Sequence, residues 1–229
     1  FPILMNYIFD GSFNGYLCCI FEAFERKELF ASPKVLTMLE PSIFSDQREI
    51  VTNSTKSMRI LNGMEKIIGK KGINIFYRNF LYDQQNAWKL GFKNLVRLFK
   101  EGQIDMWDYG NPEILQIHQN IKKVSRERHR MKAFVRFVKS SENLYTALIE
   151  PDFNVLPLVT TFFKNRFSDQ QWLIYDVRRN YGYHYDGKDV YEGTNSDNRN
   201  LEDPYALELN IDPRELEFQH LWKTYFKST

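Results

Sequence analysis

The sequence predicts an α+β fold, in which a helical N-terminal half with a short strand pair precedes a small antiparallel sheet flanked by helices. Apolar residues recur at helical spacing along the chain as far as Met131. Beyond that point, short apolar segments alternate with turn residues, which is typical of strands. Since 43% of the residues are hydrophobic and 16% are aromatic, the chain can bury a core, and a disordered chain is excluded.

In the N-terminal half, strands are predicted at residues 5–9 and 49–52. Helices are predicted where capping residues precede apolar residues at helical spacing. These helices begin after Ser12, after Asn53 and at Asn111-Pro112, with two more at 73–82 and 87–100.

In the C-terminal half, five strands are predicted, at 134–138, 144–149, 172–177, 181–185 and 189–191. The turn Asp186-Gly187-Lys188 predicts a hairpin between the last two strands. Further helices are expected after Pro151 and after Asp212-Pro213. The chain is predicted to be one compact unit, 1–229, which can be subdivided into a mainly helical part, 1–110, and a part with sheet and helices, 111–229.

The net charge of +2 hides two blocks of opposite sign. Residues 122–139 hold eight basic residues and one acid, whereas residues 186–217 hold ten acids and three basic residues. No apolar run reaches the ~18 residues that a membrane span needs. The only cysteines, Cys18 and Cys19, are adjacent and would point about 100° apart on a helix, which predicts free thiols in a reduced compartment, the cytoplasm.

The basic block predicts a nucleic-acid contact, because cations clustered on one helix bind phosphates and release counterions. The predicted nucleic-acid-binding residues are Lys122, Lys123, Arg126, Arg130, Lys132 and Arg136. Two other interpretations stay open: a solvated helix face, or a salt-bridge seam with the acidic segment. Arg128 lies on the apolar stripe of the same helix, and it is therefore the candidate for a buried structural ion pair.

Two further motifs could also contact nucleic acid. Gly69-Lys70-Lys71-Gly72 resembles the GxxG loop of KH domains, but a helix rather than a β-hairpin is predicted after it. Tyr181, Tyr183 and Tyr185 share one face of a strand, where they could stack bases but more often cover a core.

Signs of catalysis are few. Glu150 and Asp152 flank a proline at a strand end, and an enzyme would combine them with His129 and an aromatic wall in one cleft. A helix cap is the preferred use of these carboxylates. No metal-ligand spacing, Walker loop or Rossmann fingerprint is present, and neither a metal nor a cofactor is predicted.

Four segments of the chain together resemble a known family. They are 7–15 with 21–27, then 128–137, then 145–152, and finally 163–167 with 172–176. They are similar to an uncharacterised bacterial family described as a probable DNA metabolism protein, a domain of unknown function. Its members occur beside a putative DNA-modification or repair radical-SAM protein, and a similar domain is elsewhere fused to a uracil-DNA-glycosylase-family domain.

The resemblance covers nearly the whole chain and implies a DNA-repair setting with a partner of one of those two kinds. It brings no catalytic residues, since none is established for the family. The expected function is an accessory role in DNA repair or modification, in which the basic helix contacts nucleic acid, the radical-SAM partner, or both. The alternatives are a glycosylase- or hydrolase-like enzyme acting on damaged DNA bases, and a protein-interaction adaptor without DNA contact that docks through the acidic stretch 192–217.

Overall fold

The computed structural model describes residues 5–35, 46–139 and 144–194 of the chain. Within them, a helical N-terminal half with short parallel strands precedes a five-stranded mixed sheet with helices, so the predicted α+β class is confirmed. The chain divides into two compact units, the first from Phe1 to Ser125 and the second from Arg126 to Thr229. Whether residues 1–229 act as one unit stays a prediction.

The first unit contains a three-stranded parallel sheet. Its strands are β1 (Asn6–Phe9), β2 (Ser32–Val35) and β3 (Gln47–Glu49), in the order β2-β1-β3. The prediction of β1 is confirmed, whereas the strand expected at 49–52 ends at Glu49. Strand β2 was not predicted: it contains Pro33, which is unfavourable inside a sheet but tolerated at the edge position that β2 occupies.

Long helices make up most of the first unit. They are α1 (Phe13–Glu25), α2 (Ser54–Phe80), α3 (Gln85–Glu101) and α4 (Pro112–Phe134), the last of which continues into the second unit. Two predicted caps are confirmed: the Ser12 hydroxyl accepts from the backbone N–H of Gly15, and the side-chain amide oxygen of Asn53 accepts from the backbone N–H of Lys56. Both stabilise a helix that begins a short turn after a strand.

Aromatic side chains form the centre of the first core. The rings of Phe9 and Trp88 lie 5.4 Å apart, and those of Tyr16 and Phe80 lie 5.2 Å apart. The Tyr16 hydroxyl donates to the carbonyl of Trp88, and the Trp88 indole donates to that of Phe80. The polar ends of these buried rings are therefore satisfied.

The Gly69–Gly72 motif lies within α2 and marks a kink. Gly69 has a φ of 63°, a left-handed conformation that favours glycine, so the two helical patterns predicted on either side form one bent helix. The next element is α3, as predicted. The β-hairpin that a KH fold would require is therefore absent from this part of the described chain.

The second unit contains a five-stranded sheet in the order β4-β5-β6-β7-β8. Its strands are β4 (Val138–Lys139), β5 (Tyr145–Ile149), β6 (Trp172–Asp176), β7 (Tyr181–Tyr185) and β8 (Val190–Thr194). The predicted hairpin of β7 and β8 is confirmed. The expectation of a purely antiparallel sheet is wrong, because β5 and β6 run parallel. Between them lie a 3-10 helix (Leu156–Leu158) and helix α5 (Thr160–Arg166), a crossover of the kind that parallel neighbours need.

Two boundaries differ from the prediction in this unit. Helix α4 continues through Phe134, so the strand expected at 134–138 is reduced to β4. Helix α5 begins at Thr160 rather than after Pro151 and has no side-chain cap, so the preferred capping role of Glu150 and Asp152 is wrong. The helix expected after Asp212-Pro213 lies outside the described residues.

Cys18 and Cys19 are buried on α1 and free, which confirms the prediction of unbridged thiols.

In the described part of the chain, no helix combines the length and the apolar character that crossing a membrane requires.

Candidate nucleic-acid interface

Helix α4 carries most of the predicted nucleic-acid-binding residues, and its N-terminus follows the usual rules. Asn111 accepts from the backbone N–H of Glu113 at 2.9 Å, Pro112 occupies the first helical position, and the acidic Glu113 favours the positive end of the helix dipole. Ile114 and Ile117 are fully buried. One face of α4 is thereby fixed in the core, which leaves the opposite face in solvent.

Lys122 and Arg126 lie on the solvent face of α4, one turn apart, and both are exposed. Among the described residues, neither has a carboxylate within 4.0 Å. Lys123 is exposed as well, but its ammonium lies 3.2 Å from the Tyr82 hydroxyl and 5.4 Å from the centre of that ring. Lys122 and Arg126 are thus cations without a described counter-charge.

The remaining predicted cations have contacts within the second unit. Arg130 lies 3.0 Å from Glu127 and 3.6 Å from Asp152, and the Lys132 ammonium lies 4.8 Å from the centre of the Phe162 ring. Arg136 is half-buried and follows the end of α4. Part of the charge of Arg130 is therefore balanced within the protein.

A buried charge was expected at Arg128, but in the structure Glu127 is the buried charged residue with described partners. Arg128 is half-buried, and its Nε is buried without a hydrogen-bond partner among the described residues. The ion pair expected of Arg128 stays a prediction. Glu127, the one acid in the basic block, is the buried charge: its side chain is 5% exposed and accepts from Arg130 and from the backbone N–H of Asp152. The i, i+3 spacing of Glu127 and Arg130 is the sequence feature from which this ion pair could have been predicted.

A network of charged and polar groups lies at the carboxyl ends of β5 and β6. Asp176, fully buried, accepts from the backbone N–H groups of Arg178 and Arg179 and from the Arg179 guanidinium at 2.9 Å. Arg179 also donates to the carbonyls of Pro151 and Asp152. Burial raises the pKa of Asp176, and the guanidinium opposes that rise. The network joins the loops that follow the two strands.

A cavity of about 460 Å³ lies at the opposite, amino ends of β5 and β6. Its aromatic walls are Phe137, Tyr145, Phe167 and Trp172. Arg136 and Gln170 add polar groups to the lining. Of these residues, only Arg136 was predicted as a site residue. The others come from three separate segments, so no local spacing connects them.

The carboxylates proposed for an enzyme are not gathered in one cleft by any described contact. Asp152 pairs with Arg130, while Glu150 and His129 are exposed. Across the described ranges, no group of three or more His, Cys, Asp or Glu side chains could hold a metal ion.

The strand-face tyrosines make structural contacts. Tyr185 is buried, Tyr181 donates to Asn154, and Tyr183 donates to Glu192 at 2.6 Å. These contacts agree with the interpretation of the tyrosines as cover for a core. Burial raises the pKa of Tyr181, which keeps its hydroxyl protonated as a donor.

An exposed aromatic cluster in the first unit was also missed. Trp107 is 58% and Tyr109 52% exposed, and their rings lie 5.5 and 4.9 Å from that of His118. Asp105 and Asp108 hold this turn through backbone hydrogen bonds. Two carboxylates beside the rings make this surface a poor match for phosphates.

Most of the acidic segment lies outside the described residues, so its predicted seam with α4 stays a prediction. The described acids of the segment have other contacts. Asp186 caps its own turn by accepting from the backbone of Lys188, and Asp189 lies 3.7 Å from Lys164.

The second unit thus defines an α+β domain built on a mixed sheet, with a long basic helix leading into it. The family model for a domain of unknown function, DUF4130, matches residues 85–229, which is more than half of the chain. The chain therefore belongs to this family, and the expected membership of a family of unknown function is confirmed to that extent. No curated protein and no solved structure matches the chain.

Proposed function

We propose that this protein is an accessory factor of DNA repair or modification that contacts nucleic acid through the exposed cations of α4. The observation that supports the contact is the pair Lys122 and Arg126, exposed one turn apart with no described carboxylate beside them. The DNA-repair setting is supported by the likeness of four sequence segments to a family described as a probable DNA metabolism protein.

The physical argument for the contact is counterion release. Two cations one turn apart on a helix lie about 5–6 Å apart at Cβ, and their long side chains can reach neighbouring phosphates. Because each neutralised phosphate frees a condensed counterion, affinity falls linearly with salt on a logarithmic scale. Cations that are already paired with carboxylates of the protein, such as Arg130, attract phosphates less strongly.

The test is the salt dependence of duplex binding, followed by fluorescence anisotropy from about 50 to 200 mM salt, the range over which phosphate contacts weaken most visibly. Replacing Lys122 and Arg126 together by alanine should lower the slope of log K against log salt by about 1.8, since each duplex phosphate contact contributes about 0.9. The fold should be intact, because both side chains are exposed.

The matched control is Lys89→Ala with Lys100→Ala, which removes the same net charge from two exposed positions on α3. The control slope should equal that of the wild type. Equal slopes for the two double variants, or no wild-type binding at the lowest salt, would overturn the proposed contact.

The proposed partner is a radical-SAM protein of DNA modification or repair, or a uracil-DNA-glycosylase-family domain. Its support is the sequence resemblance alone. Co-expression of the full chain with such a radical-SAM protein should yield a complex by size-exclusion chromatography. Separate elution of the two proteins at micromolar concentration, with or without DNA, would remove this partner from the proposal.

A further inference from the structure

The cavity at the amino ends of β5 and β6 has the size and lining of a ligand site. Its volume of about 460 Å³ falls in the ~300–1,000 Å³ range of small-molecule pockets. Phe137 and Phe167 form an edge-to-face pair, with ring centres 5.3 Å apart, and both are half-exposed. Because each ring is half-exposed, one part of it presents apolar surface to the cavity while the buried part is held by the core.

One residue of the cavity lining carries a buried donor without an acceptor. Trp172 is fully buried, and its indole N–H has no hydrogen-bond partner in the described structure. Buried N–H groups are nearly always paired, so an orphan donor on a lining residue is a reason to expect an acceptor from outside the protein. The Gln170 side chain, half-exposed in the same wall, has no hydrogen bond among the described residues either.

Two cationic side chains lie at the cavity. Arg136 contributes a guanidinium to the lining, and the Lys139 ammonium lies 5.7 Å from the centre of the Tyr145 ring, another wall of the cavity. No carboxylate belongs to the described lining. A matching ligand is therefore flat, carries hydrogen-bond acceptors on its ring, and is anionic.

We infer that this cavity holds one nucleobase, with the attached phosphate towards Arg136 and Lys139. Aromatic walls accept the face of any base, and base–aromatic stacking tolerates sequence. The Trp172 N–H and the Gln170 amide meet acceptors on the edge of the base. The base can belong to a free nucleotide or to an unstacked position of a single strand, because both present the same chemistry.

Calorimetric titration of the full chain with each of the four deoxynucleoside monophosphates tests the inference, with deoxyribose 5-phosphate as the ligand that lacks a base. Parallel titrations use a short single-stranded oligonucleotide and an abasic strand of equal length. Saturable binding of a monophosphate without binding of the sugar phosphate supports a free nucleotide. Base-dependent binding of the strand alone supports an unstacked base.

Two variants locate the binding in the cavity. Gln170→Ala removes a half-exposed amide with no described side-chain hydrogen bond and should fold normally. Trp172→Phe keeps an aromatic ring but removes the orphan N–H. Each should weaken binding of the base-containing ligand about tenfold, the usual effect of one lost hydrogen bond to a ligand. The exposed Gln119→Ala on α4 is the matched control and should bind as the wild type does.

Unchanged affinity in Gln170→Ala and in a folded Trp172→Phe would overturn the inference. So would sugar-phosphate binding equal to that of the monophosphates, or strand binding that is indifferent to the loss of its bases. The inference deepens the proposed nucleic-acid contact, but the two fail separately. The α4 double variant should keep monophosphate affinity, whereas the Gln170 variant should keep the duplex salt slope.

Discussion

The two ends of the parallel pair β5–β6 are built in opposite ways. At the carboxyl ends, the buried Asp176 has three donors, and Arg179 spans from it to the carbonyls of the neighbouring loop. At the amino ends, aromatic rings surround a cavity, and Trp172 in its lining carries a buried indole donor that has no acceptor among the described residues. The same two strands therefore end in a closed polar network on one side and an open aromatic site on the other.

This difference separates groups that hold the fold from groups that are available to a ligand. Buried charges that are fully matched are costly to disturb and offer nothing to a partner. An unmatched donor at a half-exposed aromatic cavity lowers the stability of the free protein. A ligand that accepts a hydrogen bond from this donor can restore the lost stability. The carboxyl end should therefore respond to mutation through stability, and the amino end through binding.

The largest effect is expected from Asp176→Ala. The change removes the Asp176 carboxylate from Arg179, whose side chain is 10% exposed. Removing one partner of a buried pair costs about 3–5 kcal/mol, so the free energy of unfolding in urea should fall by about that amount. Glu150→Ala is the control at the same edge, and its exposed side chain should change stability by less than about 0.5 kcal/mol. Equal, small losses in both variants would show that the network is not structural.

Enlarging one valine in the core and one at the cavity should give a smaller difference in stability than the Asp176 and Glu150 variants do. Val155 is fully buried, so Val155→Leu adds a methylene where there is no space and should cost about 1–3 kcal/mol. Val135 lines the cavity, so Val135→Leu should be neutral or stabilise by about 0.5–1 kcal/mol. Urea unfolding of both proteins measures the difference. Equal destabilisation would mean that the cavity end is packed as tightly as the core.

The smallest effect concerns Lys132, a predicted nucleic-acid contact whose ammonium lies over the Phe162 ring. Both side chains are half-buried, and a double-mutant cycle of Lys132→Met and Phe162→Leu should give a coupling energy of about 0.5–1 kcal/mol in unfolding experiments, the lower part of the range for cation–π pairs. Lys132→Met should also leave the duplex salt slope close to that of the wild type. Zero coupling together with a slope lowered by about 0.9 would assign Lys132 to the phosphates instead.

Local patterns in the sequence were sufficient for much of the fold. The caps Ser12 and Asn53 and the hairpin at Asp186 depend on neighbouring residues, and all were predicted. The parallel pairing of β5 with β6 was not, because it depends on where the crossover returns the chain. Strand β2 was hidden by Pro33, whose effect depends on an edge position that the sequence does not reveal.

For the candidate site too, features set by neighbouring residues could be predicted and contacts between distant segments could not. The basic residues of α4 are close in sequence, so their clustering was visible, but the sequence left open whether Lys122 and Arg126 face solvent or pair with the acidic segment. The partners of Arg130 were not visible, because Asp152 comes from a distant loop. The cavity was missed for the same reason, since Tyr145, Phe167 and Trp172 meet only once the sheet has formed.

The sharpest test of the nucleobase site is photocrosslinking to a short single strand that contains iodouracil, because the reactive base must lie against an aromatic side chain. We expect crosslinks at Phe137, Tyr145 or Phe167, identified by mass spectrometry of the digested full chain and suppressed by excess monophosphate. Crosslinks confined to exposed rings elsewhere, such as Trp107 or Tyr191, with none at the cavity, would contradict it.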